Sequence, residues 1–318
     1  MKTNIAQAMY DLKRLFFLRE AIETLDLAAP PTARILSPAV LPPVRRVGLL
    51  CGSFNPLTLA HTELAERASE TFGLDRVLFT LAKVTVDKER VTGLGLEDRL
   101  LLLSLYAERH ASIGVALVNR GLYVDQARAF RSLLGAHVEL QFIVGMDKLV
   151  QILDPKYYQD RGAALRQLFA LSSLIVANRG EMAEAEFEQL LDQPENRAYR
   201  SHVRFCPLPG GLADVSATVV RQALAAGESV TSRVPTDSAA FLAETHPFAP
   251  PRQYGGEVVD GYAVRQQLLT ILTEVRSWAE QEVDFRTLVQ AALTADVKGR
   301  ALRAASTATE LVNVVRSL

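Results

Sequence analysis

Residues 47–61 read VGLLCGSFNPLTLAH, and this stretch decides the fold. The run VGLLC has the apolar, β-prone composition of a buried strand, Gly52 opens a turn, and a helical pattern begins near Ala60. A strand, a tight turn and a helix in this order place unpaired N–H groups and the positive end of a helix dipole beyond the strand. The sequence therefore predicts an anion-binding site here.

Thr58 and His61 are three residues apart at the start of this predicted helix. At that spacing their side chains share one face and can converge on the anion. A histidine in such a place is by itself more often a satisfied structural residue, so the surrounding sequence has to decide its role.

Between residues 44 and 245, short apolar runs alternate with longer helical patterns. The predicted strands are Val47–Cys51, Arg76–Leu81, Ile113–Val118, Glu139–Val144, Leu174–Asn178 and Val203–Cys206. The predicted helices are Ala60–Phe72, Leu96–His110, Tyr123–Leu134, Ala163–Phe169 and Met182–Leu191. This alternation is typical of an α/β protein with a doubly wound parallel sheet, in which ligands bind beyond the carboxyl ends of the strands.

Helical extensions are predicted on both sides of this domain. Residues 1–43 read as an amphipathic helix followed by an extended connector that has five prolines between Pro30 and Pro43. Residues 246–318 begin with a second Pro- and Gly-rich break and continue as a helical tail. The tail has an apolar face at Val264, Leu268, Ile271, Val275 and Trp278, then helical patterns at Phe285–Ala295 and Arg300–Val315. We expect the extensions to provide extra packing or a homo-oligomer contact.

The composition is that of an ordinary globular protein, with 49% hydrophobic and 22% charged residues among 318. The 35 basic and 36 acidic residues give a formal charge of −1, whereas proteins that bind nucleic acid or anionic membranes carry a basic excess. The charge therefore argues against nucleic acid and membranes as partners and leaves a small phosphorylated ligand open.

Cysteine usage and hydropathy indicate the compartment. Cys51 and Cys206 lie far apart without CxxC spacing, so neither a disulfide framework nor a zinc site is predicted. The first residues lack the pattern of a signal peptide, and no apolar run is long enough for a membrane span. We expect a cytoplasmic protein.

Two motifs resemble those of a known family. CGSFNPLTLAH at 51–61 resembles the (H/T)xxH motif of the nucleotidylyltransferase superfamily, in the form found in eukaryotic-type nicotinamide mononucleotide adenylyltransferases. VSATVVR at 215–221 is similar to the (I/V)S(S/A)TxxR motif that opens a late helix in those enzymes. Two motifs in the right order are far more specific than either alone. The resemblance covers about Val44 to Leu242 and implies a Rossmann-like nucleotidylyltransferase fold.

The residue types and spacing of the second motif also suit phosphate binding. Ser216 can cap the helix, Thr218 lies in its first turn, and Arg221 follows one turn later. The hydroxyls, the backbone N–H groups and the guanidinium can then donate hydrogen bonds to the same triphosphate. An ordinary capped surface helix is the alternative for this segment in isolation.

A third segment, FIVGMDKL at 142–149 followed by PKYY at 155–158, resembles the family's strand and GxDxL sequence. Gly145 permits close approach of a ligand, and Asp147 can accept hydrogen bonds from ribose hydroxyls. Tyr158 and Tyr123 stand where the family has tryptophans against the pyridine ring, which implies mononucleotide binding by both tyrosines. Half-buried packing residues are the alternative for both.

Three basic residues follow predicted strands or open the next helix. The family has a phosphate-binding lysine in the loop after the second strand, and we choose Lys88 over Lys83 for it. Arg179 stands where the family has an arginine beside the adenosine. Arg99 is expected to be structural.

The resemblance implies that the protein joins ATP and nicotinamide or nicotinate mononucleotide, giving NAD or deamido-NAD and pyrophosphate. The mononucleotide phosphate would attack the α-phosphorus of ATP in line, and the enzyme would supply positioning and electrostatic stabilisation. Mg²⁺ is the expected cofactor, held largely by phosphates and waters, and no side chain is predicted as its ligand.

The predicted site residues divide into three roles. The residues expected at the reacting phosphates are His61, Thr58 and Arg221. Those expected to bind ATP are Gly52, Ser53, Phe54, Gly145, Asp147, Arg179, Ser216 and Thr218. Those expected to bind the mononucleotide are Lys88, Tyr123 and Tyr158.

Two alternatives remain open. Thr58 in place of the motif's first histidine also occurs in related nucleotidylyltransferases that act on another phosphorylated acceptor, such as phosphopantetheine. A nucleotide-binding module without turnover would use the helical extensions as an interaction surface, although the presence of His61 and Arg221 counts against it. Both the amide and the acid form of the mononucleotide are compatible with the sequence.

Overall fold

The computed structural model describes residues 5–38, 43–84, 93–178, 183–207, 215–274 and 284–316. Seven strands of these residues form one sheet: β1 (Ala33–Ser37), β2 (Arg46–Cys51), β3 (Arg76–Ala82), β4 (Ile113–Val118), β5 (Glu139–Gly145), β6 (Ser173–Asn178) and β7 (Val203–Pro207). Their spatial order is β1-β4-β3-β2-β5-β6-β7, in which β2 to β7 run parallel and β1 is antiparallel to β4. The predicted parallel sheet is confirmed.

Helices follow the strands and continue into both extensions. The first nine helices, up to the second motif, are α1 (Ile5–Ala8), α2 (Leu12–Glu23), α3 (Leu59–Phe72), α4 (Leu96–Ala107), α5 (Tyr123–Leu134), α6 (Met146–Leu153), α7 (Arg161–Leu171), α8 (Ala183–Asp192) and α9 (Ala217–Ala225). The remaining described elements are α10 (Thr236–Thr245), the strand pair β8 (Arg252–Tyr254) and β9 (Glu257–Val259), α11 (Gly261–Thr273), α12 (Phe285–Ala292), α13 (Val297–Ala304) and α14 (Ala308–Arg316). Short 3₁₀ helices span Pro155–Tyr157 and Arg197–His202.

Successive residues of a strand point to opposite faces of the sheet, so the apolar strands build one core on each face. Helices cover both cores. Leu50 and Phe79 belong to the core that faces α3, α4 and the terminal helices, whereas Leu49 and Phe142 belong to the core that faces α5 to α8. These strands are apolar at nearly every position because both of their faces are buried.

Three elements differ from the sequence prediction. The Pro-rich segment predicted as a connector contains β1, which pairs with β4 at the edge of the sheet. The amino-terminal helix is interrupted at Asp11, whose carboxylate accepts hydrogen bonds from the first N–H groups of α2. The pattern at 300–315 is divided between α13 and α14, and Glu310 accepts N–H bonds from the residues between them. Of the predicted apolar tail face, Val275 and Trp278 lie outside the described residues.

The order of the strands places the candidate site. β3 pairs with one edge of β2, and β4 lies beyond β3. The next strand, β5, pairs with the other edge of β2, so the order of the strands reverses direction there. This reversal is a topological switch point, where open α/β sheets form a ligand-binding crevice. The loop that begins at Gly52 follows β2, and α6 begins directly after β5, so both predicted ligand segments lie at this crevice.

A buried ion pair joins both extensions to the core. Asp98 of α4 and Arg265 of α11 are 0% and 1% exposed, with 2.5 Å between Oδ2 and Nη1. The same Oδ2 accepts from the Tyr262 hydroxyl at 2.8 Å and from the Gln266 amide at 2.6 Å. The second terminal nitrogen of Arg265 donates to the carbonyl of Met9 at 2.9 Å. One arginine therefore connects the amino-terminal segment, the core helix α4 and the carboxyl-terminal helix α11.

Replacement of Arg265 tests this connection. Arg265→Met leaves the Asp98 carboxylate buried without its cation, so we expect the free energy of unfolding to fall by about 3–5 kcal/mol. The measurement is urea denaturation. Asp98→Asn combined with Arg265→Met should recover part of the loss, because the unpaired charge is then gone.

The control is Arg46→Met, which removes an exposed arginine that pairs with Glu139 on the surface. This variant should change the free energy of unfolding by about 1 kcal/mol or less. Equal losses in Arg46→Met and Arg265→Met would contradict the proposed importance of the buried pair.

Candidate active site

The loop after β2 is held by its phenylalanine. The Phe54 ring is 1% exposed and lies 5.4 Å from the ring of Phe79, centroid to centroid. Its backbone has a φ of 44°, in the left-handed region. A Cβ at Gly52 would lie 3.2 Å from the Phe54 ring, so the glycine permits this packing. Gly52 and Ser53 line a cavity, whereas the Phe54 side chain lies in the core, so only its backbone can contact a nucleotide.

His61 is oriented by Thr58 at the start of α3. The backbone N–H of Thr58 donates to Nδ1 of His61 at 3.1 Å, and Oγ1 of Thr58 lies 2.8 Å from the same nitrogen. The Phe54 ring packs edge-on against the imidazole, with 5.1 Å between centroids. The orientation of the ring is thus set from two sides.

These contacts determine the tautomer of His61. A backbone N–H can only donate, so Nδ1 must be the acceptor and carries no proton. The Thr58 hydroxyl then also donates to Nδ1. In the neutral ring the proton is on Nε2, where it can be donated to a phosphate oxygen.

Thr58 therefore has a different position from the one the sequence predicted. Its side chain is 0% exposed and its hydroxyl is bonded to His61, so it orients the imidazole and cannot itself reach a phosphate. The buried hydroxyl has its partner within the protein, as buried polar groups generally do.

The second motif lies against the first. Ser216 caps α9 and accepts a hydrogen bond from the N–H of Val219 at 3.2 Å. Arg221 donates through Nη1 to the carbonyl of Asn55 at 3.0 Å and through Nη2 to Oγ1 of Thr218 at 3.1 Å. The arginine of one motif is thus bonded to the loop of the other.

Gly145 and Asp147 lie at the start of α6, beyond β5. Gly145 is the N-cap residue, and a Cβ there would have Ala177 O at 4.0 Å as its nearest contact, so the space above it is open. Asp147 is exposed in the first turn. Since β5 pairs with β2, these residues lie beside the loop that begins at Gly52.

A cavity of about 180 Å³ opens next to this loop. Its lining residues are Cys51, Gly52, Ser53, Thr80, Leu81, Ala82, Arg99, Gly121, Tyr123, Gln126, Lys148 and Gln151. Tyr123 provides an aromatic wall, and its ring packs edge-on against Phe142 with 5.2 Å between centroids. The structure thus brings Tyr123 together with Gly52 and Ser53 at one cavity.

Tyr158 is not part of the cavity lining. Its hydroxyl donates to the carbonyl of Ile152 at 2.8 Å, and burial raises its pKa to about 12. Tyr158 is half-buried and packs on the same core as Tyr123. The contacts of the described residues give it a packing role.

Two predicted site residues, Lys88 and Arg179, lie outside the described residues. Lys83 is described, and its ammonium donates to the carbonyl of Leu25 at 2.8 Å, just beyond the carboxyl end of α2. This contact ties Lys83 to the amino-terminal extension.

Three residues at the site were not predicted as site residues. Asn55 is 3% exposed; its side chain accepts from the N–H of Leu94 at 3.1 Å, while its carbonyl accepts from Arg221. Gln126 lines the cavity and donates to the carbonyl of Gly121 at 2.9 Å. Arg99 also lines the cavity and donates to the carbonyl of Ser53 at 3.0 Å. No local pattern identifies Gln126 or Arg99, because their roles depend on which strand end each helix faces.

The cysteine in the cavity is not activated. Burial raises the pKa of the Cys51 thiol far above its ordinary value, and the thiol donates to the Gln126 amide oxygen at 3.1 Å. The reactive form of a cysteine is the thiolate, so Cys51 is not a nucleophile at neutral pH.

The described residues contain neither a cluster of metal-binding side chains nor a helix that could span a membrane. No group of three or more His, Cys, Asp or Glu side chains in the described ranges could hold a metal ion. No helix within these ranges has the length and apolar character needed to cross a membrane.

The fold is an α/β domain in which two motif segments, each at the start of a helix, lie against each other. Residues 49–223, more than half of the chain, match the model of the cytidylyltransferase-like family. The chain belongs to this family, and the predicted nucleotidylyltransferase class is confirmed.

Several similar proteins are named as adenylyltransferases of nicotinate or nicotinamide mononucleotide. A probable nicotinate-nucleotide adenylyltransferase of Trichlorobacter lovleyi is 29% identical over 222 residues, which cover 64% of this chain and 100% of that protein. One of Bordetella pertussis is 29% identical over 206 residues, covering 64% and 98%. A Schizosaccharomyces pombe protein, provisionally named a nicotinamide mononucleotide adenylyltransferase, is 25% identical over 200 residues, covering 58% and 78%. The resemblance seen in the motifs is confirmed.

A solved structure also aligns with the chain. It is Plasmodium falciparum nicotinic acid mononucleotide adenylyltransferase complexed with NaAD, at a TM-score of 0.48 and 13% identity. The alignment covers 64% of this chain and 97% of that one.

The tautomer of His61 is directly measurable. Nitrogen-15 NMR of the imidazole rings should show His61 protonated on Nε2 in its neutral form. His110 is an internal control with the opposite arrangement, because its Nδ1 lies 2.7 Å from the carbonyl of Tyr106, which can only accept. His110 should therefore be protonated on Nδ1. A proton on Nδ1 of His61 would contradict the deduced hydrogen bonds.

Proposed function

We propose that the protein transfers the adenylyl group of ATP to nicotinamide or nicotinate mononucleotide, which gives the dinucleotide and pyrophosphate. The similar proteins carry names for this reaction, in the acid or the amide form. The motif segments provide the groups that such a transfer requires.

The bond between Arg221 and Asn55 is the observation that carries the proposal. It joins two segments that are far apart in the sequence, with 3.0 Å between Nη1 and the carbonyl oxygen. The start of α9, capped by Ser216, is thereby held near the loop that leads into α3. Two helix N-termini and a guanidinium that converge in this way suit a polyphosphate chain.

His61 is the proposed donor to the α-phosphate. With Nδ1 accepting from Thr58, the neutral imidazole presents its proton on Nε2. A hydrogen bond from this atom would stabilise the negative charge that develops on the oxygens of the α-phosphate in the transition state. Thr58 is a positioning residue in this scheme.

Arg221 and Thr218 are the proposed ligands of the leaving pyrophosphate. Arg221 has five N–H donors, of which one binds Asn55 and one binds Thr218, so further donors remain for phosphate oxygens. Thr218 is exposed in the first turn of α9. The Ser216 hydroxyl already accepts from Val219 and can still donate its proton.

The chemistry needs no covalent intermediate. The 5′-phosphate of the mononucleotide attacks the α-phosphorus, the new P–O bond forms, and the bond to the β-phosphate oxygen breaks opposite to it. The protein contributes orientation and charge stabilisation. In this proposal Mg²⁺ enters with ATP as part of the substrate, because Mg²⁺ keeps several waters and is commonly bound through substrate phosphates.

The proposal also places the reaction in the cytoplasm, where free thiols persist. Both cysteines of the chain, Cys51 and Cys206, are free.

A product assay tests the proposed reaction. The protein is incubated with ATP, Mg²⁺ and one acceptor at a time: nicotinamide mononucleotide, nicotinate mononucleotide or phosphopantetheine. We expect pyrophosphate together with NAD or deamido-NAD. Transfer to phosphopantetheine alone, or binding of ATP without any pyrophosphate, would contradict the proposal.

Replacement of His61 tests its role at the phosphate. His61→Ala removes a donor to the developing charge, so kcat should fall about 10²–10³-fold. The control is His137→Ala, which replaces an exposed histidine in the loop before β5 and should leave kcat unchanged. Circular dichroism should show that both variants are folded. An unchanged kcat in folded His61→Ala would rule out the proposed role.

A further inference from the structure

The residues directly before α4 contact the candidate active site. The backbone N–H of Leu94 donates to the side-chain oxygen of Asn55 at 3.1 Å, and both residues are buried. The carbonyl of the same Asn55 accepts from Arg221 at 3.0 Å. Near the start of α4, Arg99 donates to the carbonyl of Ser53 at 3.0 Å. The position of the loop after β2 therefore depends on the position of the start of α4.

The same segment also contacts the carboxyl-terminal extension. The backbone N–H of Gly95 donates to the hydroxyl of Tyr262 at 2.8 Å. A Cβ at Gly95 would lie 2.8 Å from Oε1 of Gln266, so the two are closely packed. Gly93 has a φ of 109°, and a Cβ there would overlap the ring of Phe248. Three side chains of the extension thus pack directly on the backbone that leads into α4.

The hydroxyl of Tyr262 completes the cap of α4. Gly95 is the N-cap residue, and Asp98 is the third residue of the helix. In a capping box, the side chain at this third position accepts a hydrogen bond from the N-cap N–H. Here the Tyr262 hydroxyl lies between the two groups, since it accepts from the Gly95 N–H and donates to Oδ2 of Asp98 at 2.8 Å. A residue of the extension therefore takes part in fixing the start of a core helix.

The direction of these hydrogen bonds follows from the chemistry of the hydroxyl. Its one proton is donated to Asp98, so its lone pairs accept from the N–H of Gly95 and from the amide of Gln266, 3.2 Å away. Burial, and next the Asp98 carboxylate, raise the pKa of Tyr262 well above its ordinary value. The hydroxyl thus keeps its proton at neutral pH, and the bond to Gly95 persists.

We propose that Tyr262 is a positioning residue for the adenylyl transfer, an inference that rests on the proposed function. Its bond to Gly95 fixes the start of α4. Leu94 is thereby held against Asn55. Asn55 in turn holds Arg221, a proposed ligand of the leaving pyrophosphate. The extension then forms part of the support of the active site.

The position of Tyr262 in the chain gives this inference its content. Residues 49–223 match the family and contain all the motif segments, whereas Tyr262 lies beyond the end of that match. The support of the loop after β2 is therefore a feature of this chain that the motifs themselves do not include.

The test is Tyr262→Phe, which removes one oxygen atom and keeps the ring. Asp98 keeps its bonds from Arg265 and Gln266, so the extension stays joined to the core. The N–H of Gly95 loses its acceptor. We expect kcat to fall about 10-fold, because a small displacement of groups at the reacting phosphates is costly. The KM values for ATP and the mononucleotide should change by about twofold or less, since the loss concerns the transition state.

The control is Gln267→Met on the same helix. The Gln267 amide donates to the carbonyls of Arg303 and Ala305 at 2.9 and 2.6 Å, all within the extension. This variant also loses side-chain hydrogen bonds of α11, and urea denaturation should show a comparable loss of stability. Its kcat should stay unchanged. Equal falls of kcat in Gln267→Met and Tyr262→Phe would mean that any loosening of the extension lowers activity, and the inference would be overturned.

A second readout does not depend on activity. Amide hydrogen exchange at Leu94 and Gly95 should be faster in Tyr262→Phe and unchanged in Gln267→Met, because only the first variant releases the start of α4. Exchange at Leu94 that stays as slow as in the wild type would show that Tyr262 does not hold this residue, which overturns the inference.

The two readouts separate this inference from the proposed function. Faster exchange with an unchanged kcat in Tyr262→Phe overturns the inference alone. If wild-type protein forms dinucleotide from neither mononucleotide, the proposed function fails, and the role of Tyr262 in the transfer fails with it. Should Tyr262→Phe not fold, Phe248→Ala decides. It removes the ring packed on Gly93 without touching Asp98, and kcat should again fall while the KM values stay.

Discussion

The buried pair of Asp98 and Arg265 is the interaction on which the arrangement of the molecule depends. Asp98 is followed directly by Arg99, and the two side chains leave α4 in different directions. Asp98 binds Arg265, which also binds the Met9 carbonyl, whereas Arg99 binds the carbonyl of Ser53 in the candidate site. A single turn of α4 thus connects both helical extensions to the loop that begins at Gly52. The stretch before α4 repeats this connection, because Leu94 donates to Asn55 and Gly95 donates to Tyr262.

In the proposed reaction the site acts by placing groups rather than by activating a nucleophile. His61 is held by two donors from Thr58, so its tautomer follows from contacts within one helix start. Arg221 is held by Asn55, so the second motif is positioned by the first. Groups held in this way keep their remaining donors oriented before a substrate arrives, which is the condition for the proposed electrostatic stabilisation of a transition state.

Much of the core could be predicted because its strands are apolar on both faces and separated by clear helical patterns. The six parallel strands are examples, and the residues at their ends include Gly52 and Gly145. β1 could not be predicted, since it lies among prolines and its partner β4 is distant in the chain. Thr58 and Phe54 have motif positions that suggest ligand contact, yet packing turned both side chains inward, where one orients His61 and the other anchors the loop.

The sequence by itself determined the alternation of strands and helices, the two motif segments and hence the class of reaction, because these depend on local periodicity and on residue types at fixed spacing. Only the tertiary structure decided which groups face the crevice. From the sequence, Arg99 looks like an ordinary helix residue, and only the folded chain shows its bond to the Ser53 carbonyl beyond β2. The terminal helices likewise look like additions, and only the folded chain shows that Arg265 binds Asp98. Contacts between distant segments are set by packing of the whole chain, which local patterns do not encode.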